Sequence, residues 1–231
     1  MPRPARTAAT VLAPESICIP GALLDLSAFR RWVQSTDFPD TGRIDWIDGD
    51  LEVDMSPEEI NTHGTPKVAI ARTLGRLVED QDLGVVLVAS TRISCPEANL
   101  SVEPDVVVVL FRSVDQGRVT LVRAAGSTGT RCVEIQGAPD LVVECVSDSS
   151  VAKDRLRLRS SYAIAGISEY WIVDARRSEP MLTVLRLVQR GYREVRRNRD
   201  GYVRSTLLGL SVRLERQPPR SGLVRYRLAV P

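Results

Sequence analysis

From residue 43 the chain reads RIDWIDGDLEVDM, with apolar and acidic positions alternating on both sides of Asp48-Gly49. Side chains of an extended strand point to alternate faces, and Asp-Gly favours a two-residue hairpin turn, so this stretch predicts two antiparallel strands. Upstream, Phe29, Trp32 and Val33 recur at helical spacing behind Ser27, a residue type that caps helices, and predict a short helix over 28–35. Downstream, Ser56-Pro57 breaks the alternation. Val68, Ile70, Ala71, Leu74, Leu77 and Val78 then trace one stripe of a helix ending near Gly84.

The pattern changes character in the middle of the chain. VVLVAS, VEPDVVVVLF and PDLVVECVS are short, continuous and rich in β-branched residues, as expected of strands covered on both faces, and they predict the central strands. Residues 113–138, rich in Gly, Arg and Thr with brief apolar pieces such as VTLV, predict a loop or small surface excursion. Helical spacing returns over 154–165, Gly166 is placed to end it, and EYWIVDA follows as a buried strand, giving a strand-helix-strand unit over 141–175. MLTVLRLVQ, GYREVRR and TLLGLSVRL, separated by Gly-bearing turns, predict a closing antiparallel meander. Together these elements predict one α/β (α+β) sheet domain over 21–217. A flexible leader over 1–20 precedes it and a C-terminal extension over 218–231 follows.

Charge narrows the picture only a little. Lys+Arg 31 against Asp+Glu 29 gives a net charge of +2, unlike a dedicated nucleic-acid coat protein, although a local basic face remains possible. Only Lys67 and Lys153 are lysines, so any catalytic lysine is one of these two. Cys18, Cys95, Cys132 and Cys145 are scattered, without CxxC or zinc-ligand spacing, and are expected to be reduced and mostly buried, which implies a cytoplasmic protein. The N-terminus lacks the apolar stretch of a signal peptide, and no run approaches the ~20 apolar residues of a membrane span. With few aromatic residues, a stacking platform for single strands is not favoured, and Trp46, Tyr170 and Trp171 are expected in the core.

Two carboxylates stand inside apolar runs where charge is costly: Asp105 in VEPDVVVV and Glu144 in LVVECVS. Either could be paired with an arginine or exposed at a strand end. Side by side they would repel each other unless a cation sat between them, and a hard divalent ion with oxygen ligands fits that need. Mg²⁺ keeps several waters, one of which could attack a phosphodiester phosphorus. Zinc suits the chain poorly because His63 is its only histidine, and no GxSxG elbow announces a serine hydrolase. His63 itself is either an inconsequential polar residue at the start of the long helix or a group facing the metal site.

The ordered set IDGD (47–50), MSP (55–57) with His63, EPD (103–105), PDLVVECVSDSS (139–150), Asp154, Tyr162 and GISEYWIVD (166–174) resembles the Uma-type putative restriction endonuclease family, common in bacteria, over roughly residues 25–214. That family belongs to the PD-(D/E)XK nuclease superfamily. The resemblance implies a restriction-endonuclease-like mixed β-sheet core flanked by helices, and Mg²⁺ or Mn²⁺ held by Asp105, Glu144 and the backbone carbonyl of Cys145. Asp45 and His63 would be auxiliary catalytic residues, DNA the substrate, and a homodimer is plausible by analogy. One departure stands out: where the family carries a lysine, four residues after Asp154 and four before Tyr162, this chain has Leu158. Lys153, Arg155, Arg157 and Arg159 are candidates to compensate or to contact phosphates. These arginines, with Arg176, Arg177, Arg190, Arg193, Arg196 and Arg197, are equally readable as solvated faces. Two functions follow: a Mg²⁺-dependent endonuclease acting on DNA, or a nuclease fold that has lost catalysis and binds DNA or a protein partner.

Overall fold

The computed structural model describes residues 19–21, 25–88, 90–124, 126–127, 129–148, 150–189 and 191–231. Most of the expected leader, Cys18 and Arg190 lie outside the described residues. Helix α1 (Leu26–Val33) starts two residues earlier than the pattern suggested, because Asp25 rather than Ser27 is the N-cap: its carboxylate accepts from the Ala28 N–H at 2.7 Å. Strands β1 (Arg43–Ile47) and β2 (Asp50–Asp54) form the predicted hairpin, with Asp48 and Gly49 both at positive φ, as a type I′ turn requires. A single π-helical turn (Ile60–Gly64) leads into α2 (Thr65–Val78), which buries Ala69, Ile70, Leu74 and Val78. Val68 lies off that stripe and is 62% exposed.

Next come β3 (Gly84–Val88), β4 (Arg92–Cys95), β5 (Leu100–Val102), β6 (Val106–Leu110), the short α3 (Phe111–Asp115), β7 (Val119–Arg123), β8 (Cys132–Gly137) and β9 (Leu141–Cys145). The stretch expected as a loop or small surface excursion over 113–138 contains an antiparallel strand pair, β7 and β8. Its alternating apolar positions are few because it lies at a sheet margin, where only Val119 and Ile135 enter the core. Beyond β9, a π turn (Lys153–Arg157) runs directly into α4 (Leu158–Ala165), which Gly166 ends in the left-handed region as expected. The chain continues through β10 (Glu169–Asp174), β11 (Met181–Val188), β12 (Gly191–Glu194), β13 (Val203–Ser205), β14 (Leu210–Arg220) and β15 (Leu223–Ala229).

Among the described residues the strands form three sheets. One has the order β2-β1-β5-β4-β8-β7, the central one β12-β11-β10-β9-β6-β3, and the third β13-β14-β15. In the central sheet, β9 and β10 are parallel across the α4 crossover while the other pairs are antiparallel. Of the three strands expected at its centre, β3 lies at the edge. The C-terminal meander is divided, since β11 and β12 extend the central sheet while β13, β14 and β15 make the third. Residues 218–231, set apart as an extension by sequence, complete β14 and form β15, whose Val224, Tyr226 and Leu228 join the core.

Side-chain alternation divides the core into two layers. Val106, Val108, Val143 and Trp171 face α2 and the third sheet, whereas Val107, Val109, Val142 and Tyr170 face the first sheet and α4. A separate cluster packs Phe29 and Trp32 of α1 on Ile44 and Trp46, the outer face of β1. Trp46, Tyr170 and Trp171 are buried, as expected. Cys95 and Cys145 are free and buried, and Cys132 is free and exposed. Among the described residues no helix is long and apolar enough to cross a membrane.

Buried Glu169 ties the third sheet to the central one. Its carboxylate accepts from the N–H groups of Thr206 and Leu207, the hydroxyls of Ser205 and Thr206, and the Trp171 indole, at 2.7 to 3.1 Å. Removing the acceptor strands these donors in the interior, so Glu169→Ala should lower stability by about 3 kcal/mol in urea unfolding. A loss below about 1 kcal/mol would show that the anchor is dispensable.

Candidate active site

Pairing of β6 with β9 sets the site. Val106 lies opposite Val143, so one step along the antiparallel ladder Asp105 lies opposite Glu144. Asp105 shares a face with Val107 and Val109, and Glu144 with Val142 and Val146, so both carboxylates point into the layer between the central sheet, the first sheet and α4. They are 4% and 2% exposed. From the opposing sheet, β1 directs Arg43 and Asp45 into the same layer, because they alternate with Ile44 and Trp46, which face α1.

Asp105 is held from several sides. Its Oδ2 accepts from the Cys145 N–H at 2.7 Å and lies 3.2 Å from His63 Nε2, while Oδ1 lies 3.7 Å from Arg43 and 4.0 Å from Lys67 Nζ. Burial alone would raise its pKa, but the His63 bond and charge, Arg43 and the Cys145 N–H outweigh it and hold the group below the usual carboxylate range. Glu144 accepts a 2.7 Å hydrogen bond from the Tyr162 hydroxyl. Burial and the negative charge of Asp105 push it up to about 8, against the pull of Arg43 and Lys153. Two adjacent carboxylates with pKa values driven apart are the electrostatic mark of a cation-seeking or proton-transferring pair.

His63 occupies the π turn before α2, and its Nδ1 lies 2.9 Å from Glu58 while Nε2 faces Asp105. Burial lowers its pKa, but the two carboxylates more than reverse this and raise it. Of the two alternatives for this residue, the structure places it at the carboxylates. Asp45 accepts from the Glu103 N–H at 3.0 Å, and its Oδ2 lies 3.5 Å from both Lys153 Nζ and Arg43 Nε.

The π turn changes what the next helix can bury. Widening the helix by one residue brings Lys153 onto the buried face shared by Asp154, Leu158 and Tyr162, and Lys153 is only 7% exposed. Uniform α-helical spacing had left Lys153 to reach back by bending. Asp154 accepts from the Ser150 hydroxyl at 2.5 Å, its Oδ1 is buried without a hydrogen-bond partner among the described residues, and burial pushes it up to about 6 despite Ser150 and Lys153. Leu158 packs in the apolar layer with Tyr162 and Ile167.

The three neighbouring arginines have partners in the chain itself. Arg155 pairs with Asp174 at 2.9 Å, Arg157 with Asp50 at 3.1 Å and with Glu52, and Arg159 donates to the Tyr192 carbonyl at 3.2 Å. Arg43, Lys67 and Glu58 were not singled out for the site by sequence. Rarity offered a signal for Lys67: both lysines and the only histidine of the chain converge here. Arg43 gave none, since it is one arginine among many.

A cleft of about 500 Å³ opens over Asp105, His63, Lys67 and Arg43, and a second of about 440 Å³ lies over Asp45 and Lys153. Among the described residues no three His, Cys, Asp or Glu side chains stand together as a ready metal cage. The donor set nevertheless fits a hard divalent ion. Asp105 and Glu144 offer oxygen only, burial and then the charge of Asp105 push Glu144 up to about 8, and the Asp154 Oδ1 lacks a hydrogen-bond partner among the described residues.

Four chains of solved structures match this one. One of them, a putative nuclease belonging to DUF820 from Anabaena variabilis ATCC 29413, is 18% identical, with a TM-score of 0.54 over 80% of this chain and 90% of its own, a likeness of fold. No curated protein matches the chain. Residues 26–216 match the family described as Uma2, putative restriction endonuclease, in agreement with the ordered motifs from IDGD to GISEYWIVD, and this chain belongs to that family.

Proposed function

We propose that this protein is a divalent-metal-dependent endonuclease that hydrolyses DNA phosphodiester bonds in the cytoplasm. The observation that carries this reading is the Asp105–Glu144 pair, buried side by side on one sheet face with both lysines and the only histidine of the chain around it. Asp105, Glu144 and the Cys145 carbonyl would hold Mg²⁺ or Mn²⁺. When bound, such an ion neutralises charge at the scissile phosphate and makes a water more acidic.

The protein's own groups do the rest. The Cys145 N–H and His63 fix the orientation of Asp105, and Tyr162 fixes Glu144. Arg43 offsets the negative charge of the cluster between visits of substrate. Lys153 takes the part of the family lysine that Leu158 cannot play: a primary ammonium at the buried cluster, able to stabilise negative charge developing on the phosphate. Leu158 favours the second reading, a fold kept only for binding, and Lys153 favours the first.

Nicking of supercoiled plasmid in Mg²⁺ or Mn²⁺ tests the proposal. Asp105→Ala and Glu144→Ala should each abolish it. Cleavage that survives either change, or no cleavage by the folded wild type with either ion, would reject the catalytic reading.

Lys153→Ala should slow nicking about 10²- to 10³-fold, the usual cost of losing a charge-stabilising group. Adding Leu158→Lys to that variant should recover part of the rate. Unchanged nicking by Lys153→Ala alone would dismiss the lysine.

The site also predicts how stability depends on pH without metal. Glu144, at about 8, Asp154, at about 6, and His63 all hold their protons more tightly folded than unfolded. Their stabilisation is therefore fully present below the unfolded values, roughly 4 for the acids and 6.5 for histidine, and is lost as pH rises through the folded ones. Asp105, shifted the other way, acts only below that window. Between about pH 5 and 8 the Tm of metal-free protein should fall by about 5 °C or more, and Mg²⁺ should restore more at the upper end. A Tm that rises across this range would contradict the assignment.

A further inference from the structure

A groove lies beside the proposed active site. About 690 Å³ in volume, it runs between α2 and β15, and Glu58 and Lys67 line both this groove and the cleft over Asp105, so the two adjoin at these side chains. Asn61 fixes its far wall: its side chain accepts from the Val224 N–H at 2.9 Å and donates to the Gly222 carbonyl at 3.2 Å, joining the π turn to β15. That strand begins after residue 216, where the family match ends.

The lining is part apolar and part cationic. Ile60 and Val68 present apolar side chains that are each 62% exposed, a poor use of surface unless something covers them. Tyr226 is also in the lining, and its hydroxyl is buried without a hydrogen-bond partner among the described residues. Arg72 and Arg225 are exposed and have no acidic partner among the described residues. The acid in the lining, Glu58, is already engaged by Lys67 and His63. An apolar floor, one unsatisfied hydroxyl and two free guanidinium groups match a flat heterocycle with a polar edge, carried on a phosphate backbone.

We propose that this groove takes an unpaired nucleotide of the DNA strand next to the scissile phosphate. The base lies against Ile60 and Val68 with its edge toward Tyr226, and the flanking phosphates meet Arg72 and Arg225. The inference rests on the proposed nuclease reading for the position of the scissile phosphate. The floor is aliphatic, which is why the scarcity of aromatic residues gave no hint of it. The consequence is a preference for gapped or frayed DNA over continuous duplex, since a paired base must first be unstacked to enter.

Fluorescence anisotropy in chelator, which prevents cleavage, tests this with two labelled probes: a blunt duplex and the same duplex carrying a short single-stranded gap. The wild type should bind the gapped probe about tenfold more tightly. Val68→Trp, which fills the groove from an exposed position, and the Arg72→Ala/Arg225→Ala double variant should each abolish that preference and leave Tm unchanged. Equal binding of the two probes by the wild type, or a preference that survives both variants, would overturn the proposal. The plasmid assay separates the two ideas. A gap preference without nicking leaves the groove and removes the catalytic reading, whereas nicking without a gap preference does the reverse.

Discussion

The antiparallel ladder between β6 and β9 sets two carboxylates opposite each other, both almost wholly buried, at the floor of a cleft. Asp105 and Glu144 are neighbours because Val106 pairs with Val143, and they face the same way because side chains alternate along a strand. Around them the chain supplies Arg43, Lys153 and His63 as positive or protonatable partners and Tyr162 as a donor. Even so, Glu144 keeps its proton to about 8. Electrostatic frustration of this kind persists in a folded protein when surrounding packing over-determines it, and here the apolar layers on both faces of the central sheet do so.

Each outlying element serves that layer. The first sheet brings β1 across the central one, so that Asp45 and Arg43 close the site from above, and α1 seals the outer face of β1 with Phe29 and Trp32. Arg92 ties these pieces together, donating to the Ile44 carbonyl at 3.0 Å and to Glu103 at 2.6 Å with its guanidinium over the Phe29 ring. The third sheet covers the opposite face and, through β15, walls the groove beside α2. The layer holding Asp105 and Glu144 and the groove walled by β15 thus lie on opposite faces of one sheet and meet at the π turn that carries His63.

The two π turns shape the site in the same way. Each widens a helix start by one residue, and each delivers a rare side chain to the carboxylates: His63 before α2 and Lys153 before α4. A lysine four residues after Asp154 would arrive on the buried face with ordinary α-helical geometry. Lys153, one residue before it, sits in the wider π turn and comes within 3.5 Å of Asp45.

Sequence by itself determined the elements whose patterns are local and strong. The Asp48-Gly49 hairpin, the buried strands holding Asp105 and Glu144, the crossover from β9 through α4 to β10 and the Gly166 stop were all legible, because turn chemistry and uninterrupted β-branched runs act within a few residues. The family motifs named the acids at the site. Tertiary structure decided what depends on distant chain: that 113–138 adds strands to a sheet margin, that the C-terminal strands divide between two sheets, and that Arg155, Arg157 and Arg159 spend their charge on partners within the chain. It also decided that Arg43, Lys67 and His63 meet Asp105, and that β15 builds a groove against α2. The reason is physical: a charged side chain reads the same in sequence whether it faces water or a buried carboxylate, and only packing of elements far apart in the chain determines which it meets.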